Sequence, residues 1–428
     1  MAQLAEDLAF RGLVHQCSDD EVLRALDTGR LSAYVGFDPT APSLHVGNLL
    51  QLCNLRRLQL AGHRPIVVAG GATGFIGDPG GKSEERNLLS SEEIDANLAG
   101  VTPQLERFLD FSVSAGATRA KLLNNADWLA RFGLLEFLRE IGKHVSVNQM
   151  IARDSVRTRL ERPEQTISYT EFSYMLLQGA DFLHLHDAEG CTLQLGGSDQ
   201  WGNIVTGVEL IRKLRGSVAY ALTSPLLVKA DGTKFGKSET GAVWLDASRT
   251  SPFAFYQFFL RAEDEMVGAY LRYLTFLSHD ELRELDAQTA EHPERRVAQR
   301  RLAAELCTLV HGADATARVE RSARALYSED VVELDAASLA MALEGAPSSC
   351  WPASSLGGAG LEVVEVLVAS GLVGSKSQAR TTIEQGGAYV NNRRVSALDQ
   401  RLTTSDLLDG GYVLLRRGRR ELHLLSFR

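Results

Sequence analysis

The segment from Pro39 to Asn48 carries residue types that bind phosphate groups. It joins a strand-like stretch to an apolar helical stripe and contains His45, Gly47 and Asn48. A strand-to-helix turn of this kind points backbone N–H groups and the positive end of a helix dipole at an anion. His45 adds a hydrogen-bond donor, and Gly47 lets a nucleotide approach closely. This histidine turn (residues 39–48) predicts a nucleotide site, although an ordinary turn with an incidental histidine would look similar.

A second segment, the lysine loop (residues 234–238, Lys-Phe-Gly-Lys-Ser), suits a pyrophosphate leaving group. Lys234 and Lys237 lie beside a glycine and can act as a cationic clamp on charged oxygens. The glycine-rich stretch from Gly77 to Ser83 also ends in Gly-Lys-Ser, like a P-loop. A P-loop requires a glycine where this chain has Ile76, so that interpretation fails.

Two further segments indicate the walls of a pocket. Tyr174, Gln178 and Asp181 fall on one face of a helix, flanked by apolar neighbours. A half-buried helix with one polar edge would give the same pattern. The stretch from Gly196 to Asn203 reads Gly-Gly-Ser-Asp-Gln-Trp-Gly-Asn, and its two small residues at a strand end would let a ribose lie against the backbone. Asp199 could then accept hydrogen bonds from the ribose hydroxyls.

The elements that must position these residues follow from hydrophobic patterning. Ala33 to Phe37 reads as a short strand, Ser43 lies where a helix cap would, and the stripe from Leu49 to Leu55 reads as a helix. Pro65 to Ala69 is a near-continuous apolar run typical of a buried parallel strand. A strand, a helix and a strand in this order predict an α/β fold with a parallel sheet.

The pattern divides the chain into three parts. Residues 1–250 are predicted as a Rossmann-like, parallel-sheet catalytic domain with a helical insertion at about 88–159. Residues 251–345 are predicted as an α-helical domain, and the Pro/Ser/Gly-rich stretch 346–360 as a linker. Residues 361–428 hold ten Lys/Arg against seven Asp/Glu, so this module carries a net charge of +3 and the rest of the chain −12. Contact with nucleic acid is therefore expected at the C-terminal end.

The C-terminal module combines a capped helix, a glycine pair and a strand-and-turn that carries basic residues. Ser375 and Gln378 are spaced as a capping box at the start of that helix. The arrangement resembles an S4 RNA-binding domain, a small α+β fold. The residues expected to meet RNA phosphates are Lys376, Arg380, Arg393, Arg394, Arg416 and Arg417. A small basic domain with solvated arginines is the alternative.

Together the motifs resemble those of the bacterial tyrosyl-tRNA synthetases, over almost the whole chain. The histidine turn looks like the HIGH signature of class I synthetases, and the lysine loop looks like their KMSKS loop. Residues 196–203 strongly resemble the family's GGSDQWGN. One departure is Asn48, where the family often has a second histidine. Its amide can still donate a hydrogen bond, so we expect function to survive.

The resemblance implies a role for each polar residue of the motifs. Residues implied in catalysis, by holding the phosphates, are Thr40, His45, Asn48, Lys82, Arg86, Lys234 and Lys237. Residues implied in tyrosine binding are Tyr34, Asp78, Tyr174, Gln178, Asp181 and Gln200. Residues implied in ATP binding are Gly36, Asp38, His45, Gly47, Asn48, Gly197, Asp199, Lys234, Lys237 and Ser238. Tyr34 and Asp181 would both bond the phenolic hydroxyl, and phenylalanine would leave both unpaired at a cost on the order of several kcal/mol.

The implied reaction has two steps. The carboxylate of tyrosine attacks the α-phosphorus of ATP, giving tyrosyl-adenylate and pyrophosphate, and the terminal adenosine of tRNA(Tyr) then attacks the adenylate carbonyl. The side chains would bind the transition-state phosphates more tightly than the ground state. Mg²⁺ is expected to accompany ATP without a protein cage, and no tightly bound cofactor or structural metal is expected. The resemblance also implies a homodimer, with one tRNA reaching from the catalytic site to the helical and S4 surfaces.

Bulk properties set limits on the location of the protein. No apolar run approaches the roughly 20 residues needed to cross a membrane, and residues 1–16 lack a secretory signal pattern. Five scattered cysteines, with no CxxC pair, suit reduced thiols rather than a disulfide framework. A cytoplasmic protein without a membrane partner is therefore expected. His184 and His186 have no further ligands at useful spacing, so metal binding there is not expected.

Three alternatives stay open from the sequence. A tryptophanyl-type or other class I adenylating enzyme would share the histidine turn and the lysine loop, but the Tyr34/Asp181 pair and the S4-like module disfavour it. An RNA-binding protein without catalysis would have no need of the phosphate-binding lysines. A structural paralogue that serves only as a dimer scaffold is the third. Amino-acid-dependent ATP–pyrophosphate exchange distinguishes all three from a tyrosine enzyme.

Overall fold

The computed structural model describes residues 3–78, 90–153, 156–157, 160–161, 167–238, 241–326, 328–343, 346–418 and 421–428. For Ser91, Lys237 and Ser238 the backbone is described but the side chain is not. The predicted phosphate ligands Lys82 and Arg86 lie outside the described residues. The chain forms two units, residues 1–250 with 258–310 and residues 251–257 with 311–428.

A six-stranded sheet forms the centre of the first unit. Its strands are β1 (Gln16–Cys17), β2 (Ser32–Phe37), β3 (Arg64–Ala69), β4 (Lys121–Asn124), β5 (Leu193–Gly197) and β6 (Tyr220–Ser224), and a separate hairpin consists of β7 (Lys237–Ser238) and β8 (Gly241–Ala242). The order is β1-β6-β5-β2-β3-β4. All neighbours pair in parallel except β1, which runs antiparallel to β6. The predicted α/β fold with a parallel sheet is confirmed.

The strand order reverses between β2 and β5. From β2 the chain adds β3 and β4 on one side, and later adds β5 and β6 on the other. In open α/β sheets a crevice forms at the carboxyl ends of the strands where the order reverses. The histidine turn follows β2, and Gly196 and Gly197 end β5. Both segments predicted to bind the nucleotide therefore reach this crevice.

Helices cover the sheet, and two of them pack unusually closely. The described helices of residues 3–311 are α1 (Leu4–Phe10), α2 (Glu21–Thr28), α3 (Leu49–Leu60), α4 (Ser91–Leu105), α5 (Ala126–Leu129), α6 (Leu134–Glu140), α7 (Val147–Ile151), α8 (Tyr169–Glu189), α9 (Trp201–Arg215), α10 (Pro252–Leu260), α11 (Asp264–Leu274), α12 (His279–Glu291) and α13 (Val297–His311). A Cβ at Gly207 of α9 would lie 2.8 Å from the Cβ of Phe182 on α8. Glycine therefore lets α9 approach α8 closely. No described helix is long and apolar enough to cross a membrane.

Two local expectations differ from the structure. The predicted helical insertion at about 88–159 contains β4, which pairs in parallel with β3 as part of the sheet. This strand has four half-buried residues, too few for a periodic signal. Ser43 does not cap a helix; its hydroxyl donates to the carbonyl oxygen of Leu44 at 2.7 Å. The cap lies two residues later, at His45, because the chain enters α3 through a short 3₁₀ turn.

The second unit holds a five-stranded sheet with helices. Its strands are β9 (Ser348–Trp351), β10 (Leu361–Glu362), β11 (Ala388–Val390), β12 (Arg393–Arg394), β13 (Arg401–Leu402), β14 (Tyr412–Arg417) and β15 (Glu421–Phe427), and its helices are α14 (Ala313–Ala325), α15 (Ala336–Ala342), α16 (Val363–Ala369) and α17 (Lys376–Glu384). The main sheet has the order β12-β11-β14-β15-β9, and β10 pairs separately with β13. A core of aliphatic residues from α16, α17 and the sheet fills its centre.

The segment predicted as a linker is part of this sheet. Strand β9 pairs in parallel with β15, and Trp351 packs against the hydrophobic core. The strand has only four residues and is surrounded by Pro, Ser and Gly, so the composition of the segment predicts a linker instead. Helix α14 also belongs to this unit, because the side-chain amide of Asn392 donates to the carbonyl oxygens of Leu326 and Ser328, just after that helix. The boundary between the two units therefore falls near residue 311 rather than at 346–360.

Candidate active site

A cleft of about 520 Å³ lies at the carboxyl ends of β2 and β5. Of the residues that the motifs single out, its lining includes Tyr34, Gly36, Asp38, Thr40, His45, Gly47, Asn48, Asp78, Tyr174, Gln178, Asp181, Gly197, Asp199, Gln200 and Lys234. The side chains of Lys82, Arg86, Lys237 and Ser238 are outside the description. Every residue that is predicted for tyrosine or ATP and has a described side chain therefore lines one cleft.

The histidine turn holds His45 in a defined orientation. The backbone N–H of Gly47 donates to Nδ1 of His45 at 3.1 Å, and the backbone N–H of His45 donates to Oδ1 of Asn48 at 3.0 Å. Because Nδ1 accepts, the proton of the neutral ring lies on Nε2. A Cβ at Gly47 would lie 2.8 Å from Cε1 of His45, so this position requires glycine. The turn is thus arranged to present an N–H donor from the imidazole.

The lysine loop is connected to the histidine turn through the backbone. Val46 donates its N–H to the carbonyl oxygen of Val243 at 2.9 Å, and Val243 donates to that of Gly236 at 3.1 Å. Gly236 has a φ of 115°, and a Cβ there would lie 3.2 Å from the backbone nitrogen of Gly47. Phe235 stacks on Tyr270 with ring centroids 4.2 Å apart. An aromatic contact and a backbone ladder therefore fix the first half of the loop against the cleft.

Lys234 reaches Asp199, in the segment predicted from the sequence to bind the ribose. Its Nζ lies 3.5 Å from Oδ2 of Asp199, and its side chain is 56% exposed. Burial raises the pKa of Asp199, while the positive charge of Lys234 acts in the opposite direction. An exposed pair of this length contributes little to stability. Lys234 is therefore available to exchange this carboxylate for a substrate oxygen.

Asp181 forms the centre of a buried polar network. Its Oδ1 accepts from Nε1 of Trp128 at 2.7 Å, and its Oδ2 accepts from Nδ2 of Asn125 at 3.0 Å. Burial raises the pKa of Asp181 to about 7, and the hydrogen bonds from Asn125 and Trp128 limit the rise. Asn125 also donates to Oγ1 of Thr73 at 3.0 Å. The carboxylate is thus held in one orientation at the inner end of the cleft.

Tyr34 lies beside Asp181 with its hydroxyl unused. The side chain is 1% exposed, and within the described ranges its hydroxyl has no hydrogen-bond partner. Its pKa is raised well above the usual value, mainly by burial and then by the negative charge of Asp181. An unpaired buried hydroxyl costs about 1–3 kcal/mol. Such a group next to a carboxylate fits a ligand hydroxyl.

A second polar network lies at the outer end of α8. The Tyr174 hydroxyl donates to Oδ2 of Asp38 at 2.9 Å, and burial raises its pKa well above the usual value. Nε2 of Gln200 donates to Oδ2 of Asp78 at 2.6 Å. Asn203 donates to Oε1 of Gln178 at 3.1 Å. These hydrogen bonds line one part of the cleft with polar side chains, among them the carboxylates of Asp38 and Asp78.

Comparison with known proteins agrees with this geometry. Residues 26–328 match the model of the family described as tRNA synthetases class I (W and Y), and residues 345–425 match that of the tyrosine–tRNA ligase SYY-like C-terminal domain. A tyrosine–tRNA ligase of Roseiflexus castenholzii is 51% identical over 427 residues, which covers 99% of each chain. One of Bacillus caldotenax is 47% identical over 426 residues, again 99% of each chain. The chain belongs to the tyrosine–tRNA ligase family.

Solved structures support the same family. A crystal structure of a C-terminally truncated mitochondrial tyrosyl-tRNA synthetase from Aspergillus nidulans has a TM-score of 0.67 and 34% identity, covering 76% of this chain and 95% of that one. Tyrosine–tRNA ligases activate tyrosine with ATP and join it to tRNA(Tyr), and this is the activity of the chain. The tyrosine-enzyme prediction is therefore confirmed against the tryptophanyl, non-catalytic and scaffold alternatives.

Three residues of the hydrogen-bond networks in the cleft of this ligase were not predicted from the sequence. Asn125 and Trp128 hold Asp181, and Thr73 donates to Oδ1 of Asp38 at 2.8 Å. Asn125 directly follows the carboxyl end of β4, a position typical of site residues in parallel sheets. This position could have indicated Asn125, but β4 itself was not predicted. Trp128 gave none, since a buried tryptophan on a four-residue helix looks like core. Its stacking partner is His184, with ring centroids 4.4 Å apart.

Replacing Trp128 with phenylalanine is expected to weaken tyrosine selection. The change removes the donor to Oδ1 of Asp181 but keeps most of the buried ring. We expect kcat/KM for tyrosine to fall about tenfold, with phenylalanine little affected. Loss of this donor also moves the pKa of Asp181 upward, so the pH profile for tyrosine shifts to higher pH. Trp351→Phe, in the other unit, is the control; equal losses for both substrates would contradict the expectation.

The predicted RNA-binding residues lie in the second unit. Lys376, Arg380, Arg393 and Arg394 are exposed, and Arg416 and Arg417 are half-buried. The guanidinium of Arg416 lies 3.7 Å from the centroid of the Tyr389 ring, and its Nε donates to Oδ1 of Asn392 at 2.8 Å. Arg417 donates to the carbonyl oxygen of Leu372 at 2.9 Å. The last two arginines therefore also have structural contacts.

Proposed function

We propose that tyrosine binds with its ring between β2 and α8 and its phenolic hydroxyl between Tyr34 and Asp181. The observation that carries this placement is the buried Tyr34 hydroxyl, for which the described residues supply no partner. Asp181 lies near enough for its charge to raise the pKa of that hydroxyl. A phenol between the two would accept a hydrogen bond from Tyr34 and donate one to Asp181.

The amino-acid end of tyrosine is assigned to the outer network of the cleft. The carboxylate of Asp78 and the side chains of Tyr174 and Gln178 would hold its ammonium group. Gln200, which donates to Asp78, would contact the carboxylate side. Placing the phenol at the inner end and the ammonium group at the outer end leaves the reacting carboxylate directed toward the histidine turn.

ATP is assigned to the mouth of the cleft, between the histidine turn and β5. Gly36 and Gly197 expose backbone there, and Asp38 and Asp199 lie at the ends of the same strands. Asp199 would accept hydrogen bonds from the ribose hydroxyls. The residues proposed to meet the phosphates are Thr40, His45, Gly47, Asn48 and Lys234, together with Lys82, Arg86, Lys237 and Ser238, which remain predictions from the motifs.

Catalysis would come from binding the charge that develops on the phosphates. A carboxylate oxygen of tyrosine bonds to the α-phosphorus as the bond to pyrophosphate breaks, and no side chain becomes covalently attached. Nε2 of His45 donates toward an α-phosphate oxygen, and Lys234 holds the leaving pyrophosphate. Mg²⁺ would enter with ATP and neutralise part of its charge. Across the described residues no group of three or more His, Cys, Asp or Glu side chains is placed to hold a metal.

The placement is tested by ATP–pyrophosphate exchange with purified protein. Tyrosine, phenylalanine and tryptophan are supplied in parallel at saturating ATP. Exchange with tyrosine alone is the expected result, because phenylalanine would leave Tyr34 and Asp181 unpaired. Equal exchange with phenylalanine would exclude these two residues as the selectivity pair.

We also propose a cytoplasmic homodimer formed through one face of the first unit. Leu134, Leu135, Val147 and Tyr169 are between 57% and 81% exposed. They belong to α6, α7 and the start of α8, which share the small hydrophobic cluster that contains Met150. Apolar patches of this kind on a folded protein are typical of interaction surfaces. A second copy of the chain is the proposed occupant.

Substitution of Leu135 by aspartate is expected to dissociate the dimer. Leu135 is 81% exposed, so the change does not disturb the core of the isolated unit. A symmetric interface would bury two such charges without partners, and we expect the dimer Kd to rise at least about 100-fold. Sedimentation equilibrium provides the measurement, with Leu60→Asp on α3 as the control. A wild-type protein that sediments as a monomer would refute the proposal.

The exposed basic residues of the second unit are proposed as the tRNA surface. Arg394 and Arg416 pair with Tyr389 from the two neighbouring strands, so the three side chains share one face of the sheet. Arg394→Ala is expected to weaken tRNA(Tyr) binding about threefold to tenfold. The slope of log K for tRNA binding against log salt concentration should fall in magnitude by about one. Arg30→Ala, an exposed arginine of the first unit, is the control. An unchanged salt slope would argue against a phosphate contact at Arg394.

A further inference from the structure

A buried glutamine lies directly beside Tyr34 on the next strand. Gln194 of β5 is the register partner of Tyr34 of β2 in the parallel ladder. Partners in adjacent strands project to the same face, and both side chains line the cleft. Gln194 is 2% exposed, as deeply buried as Tyr34. No motif of the sequence singled it out, because it precedes the Gly-Gly-Ser-Asp segment.

Each of these two side chains has one buried polar atom that the described residues leave without a hydrogen-bond partner. Oε1 of Gln194 and the hydroxyl of Tyr34 are both buried and without a hydrogen-bond partner in the part of the chain that the structure describes. The amide is close enough to lower the pKa of Tyr34, although burial outweighs this effect, yet the contact does not meet hydrogen-bond geometry. An N–H donor beside a phenol oxygen is expected to lower the pKa of the phenol, because it stabilises the ionised form. The Tyr34 hydroxyl is therefore unpaired among the described residues and adjacent to the amide of Gln194.

The direction of hydrogen bonding at the phenol follows from counting protons. Ionised Asp181 can only accept, so it accepts a hydrogen bond from the substrate hydroxyl. The phenolic oxygen must then accept from Tyr34, whose single proton is directed at the substrate. The oxygen of Tyr34 in turn needs a donor from the protein side. An amide nitrogen supplies it, whereas a carboxylate or an apolar side chain cannot.

We propose that Gln194 is a specificity-determining residue that directs the Tyr34 O–H toward the phenol of the bound tyrosine. It rests on the proposed placement of tyrosine between Tyr34 and Asp181. Gln194 acts through Tyr34, so it is a positioning residue. Its contribution depends on the substrate hydroxyl and is absent for phenylalanine.

Two substitutions separate this role from packing. Gln194→Met keeps the length of the side chain and removes the donor; Gln194→Glu keeps the shape and replaces the donor with an acceptor. Gln299→Met, a glutamine that is 1% exposed and whose Nε2 donates to Asp264, controls for the loss of a buried amide elsewhere. For each, kcat/KM in ATP–pyrophosphate exchange is measured with tyrosine and with phenylalanine, and folding is checked by circular dichroism.

The expected results differ between the two substrates. Gln194→Met lowers kcat/KM for tyrosine about tenfold and changes that for phenylalanine less than about threefold. Gln194→Glu lowers kcat/KM for tyrosine further, on the order of 100-fold, because the Tyr34 O–H turns toward the new acceptor. Gln299→Met leaves the tyrosine-to-phenylalanine ratio unchanged. If Gln194→Met does not fold, the isosteric Gln194→Glu carries the test alone.

Equal losses for both substrates would assign Gln194 to packing and overturn the inference, as would wild-type selectivity in Gln194→Glu. Tyr34→Phe distinguishes this failure from failure of the proposed placement. If Tyr34→Phe lowers the tyrosine-to-phenylalanine ratio and Gln194→Met does not, only the role of Gln194 is wrong. If neither variant changes the ratio, the placement of the phenol is wrong as well.

Discussion

Asp181→Asn is expected to lower kcat/KM for tyrosine by about 100-fold or more, with phenylalanine nearly unchanged. The two oxygens of Asp181 accept from Trp128 and Asn125. An asparagine has one oxygen, so its NH₂ group would face one of these donors or the substrate hydroxyl. Hydrogen bonds to a charged group contribute about 1.5–3 kcal/mol each. Pyrophosphate exchange with the two amino acids gives the ratio directly.

The same variant is expected to change the pH dependence. Burial raises the pKa of Asp181 to about 7, so the free protein gains the ionised acceptor as the pH rises through about 7. kcat/KM for tyrosine should therefore rise across this range, because it reports the free enzyme. Asp181→Asn should lack this rise. Asp187→Asn, an exposed residue of the same helix paired with Arg215, is the control. A tyrosine-to-phenylalanine ratio unchanged by Asp181→Asn would contradict the proposed contact.

Lys234→Ala is expected to lower the rate of tyrosyl-adenylate formation by about 100-fold to 1,000-fold. The loss removes a cation from the position proposed for pyrophosphate, where charge develops as the bond breaks. The KM for tyrosine should stay close to wild type, because Lys234 lies at the mouth of the cleft. Single-turnover formation of the adenylate, followed by fluorescence or quenched flow, separates the rate from binding.

The structure supplies a close control for this lysine. Lys229 lies five residues earlier, outside the cleft lining, and Lys229→Ala should react at the wild-type rate. Stability should be little affected in either variant, since the contact of Lys234 with Asp199 is largely exposed. A Lys234→Ala rate within about threefold of wild type would show that other groups carry the leaving-group charge.

The sequence predicted which residues meet in one cleft better than it predicted the elements around them. Glycine and aspartate are also common in ordinary turns, so the segments after β2 and β5 were recognised from whole motifs rather than from residue type alone. Tyr174, Gln178 and Asp181 were placed on one face by helical spacing, and all three line the cleft. The parallel sheet followed from two apolar runs separated by a helix.

The remaining features depend on contacts that no local pattern carries. Strand β4 has four residues and no alternation, and it is a strand because β3 offers it a free edge. Ser43 had the chemistry of a cap, but the 3₁₀ turn before α3 moved that role to His45. Trp128 looks like a core residue in the sequence, and Gln194 lies outside every motif. Only the network around Asp181 and the register of β2 with β5 give them a polar function.

The backbone ladder from Val46 through Val243 to Gly236 has a consequence for release of the products. Gly236 of the lysine loop accepts a hydrogen bond from Val243, and the carbonyl oxygen of Val243 accepts one from Val46 of the histidine turn. Opening at Gly236 must either break the bond from Val243 or displace Val46 and with it the entrance to α3. If Lys234 holds pyrophosphate as proposed, movement of the loop that releases it would also move the backbone that orients His45, so both contacts would be lost together.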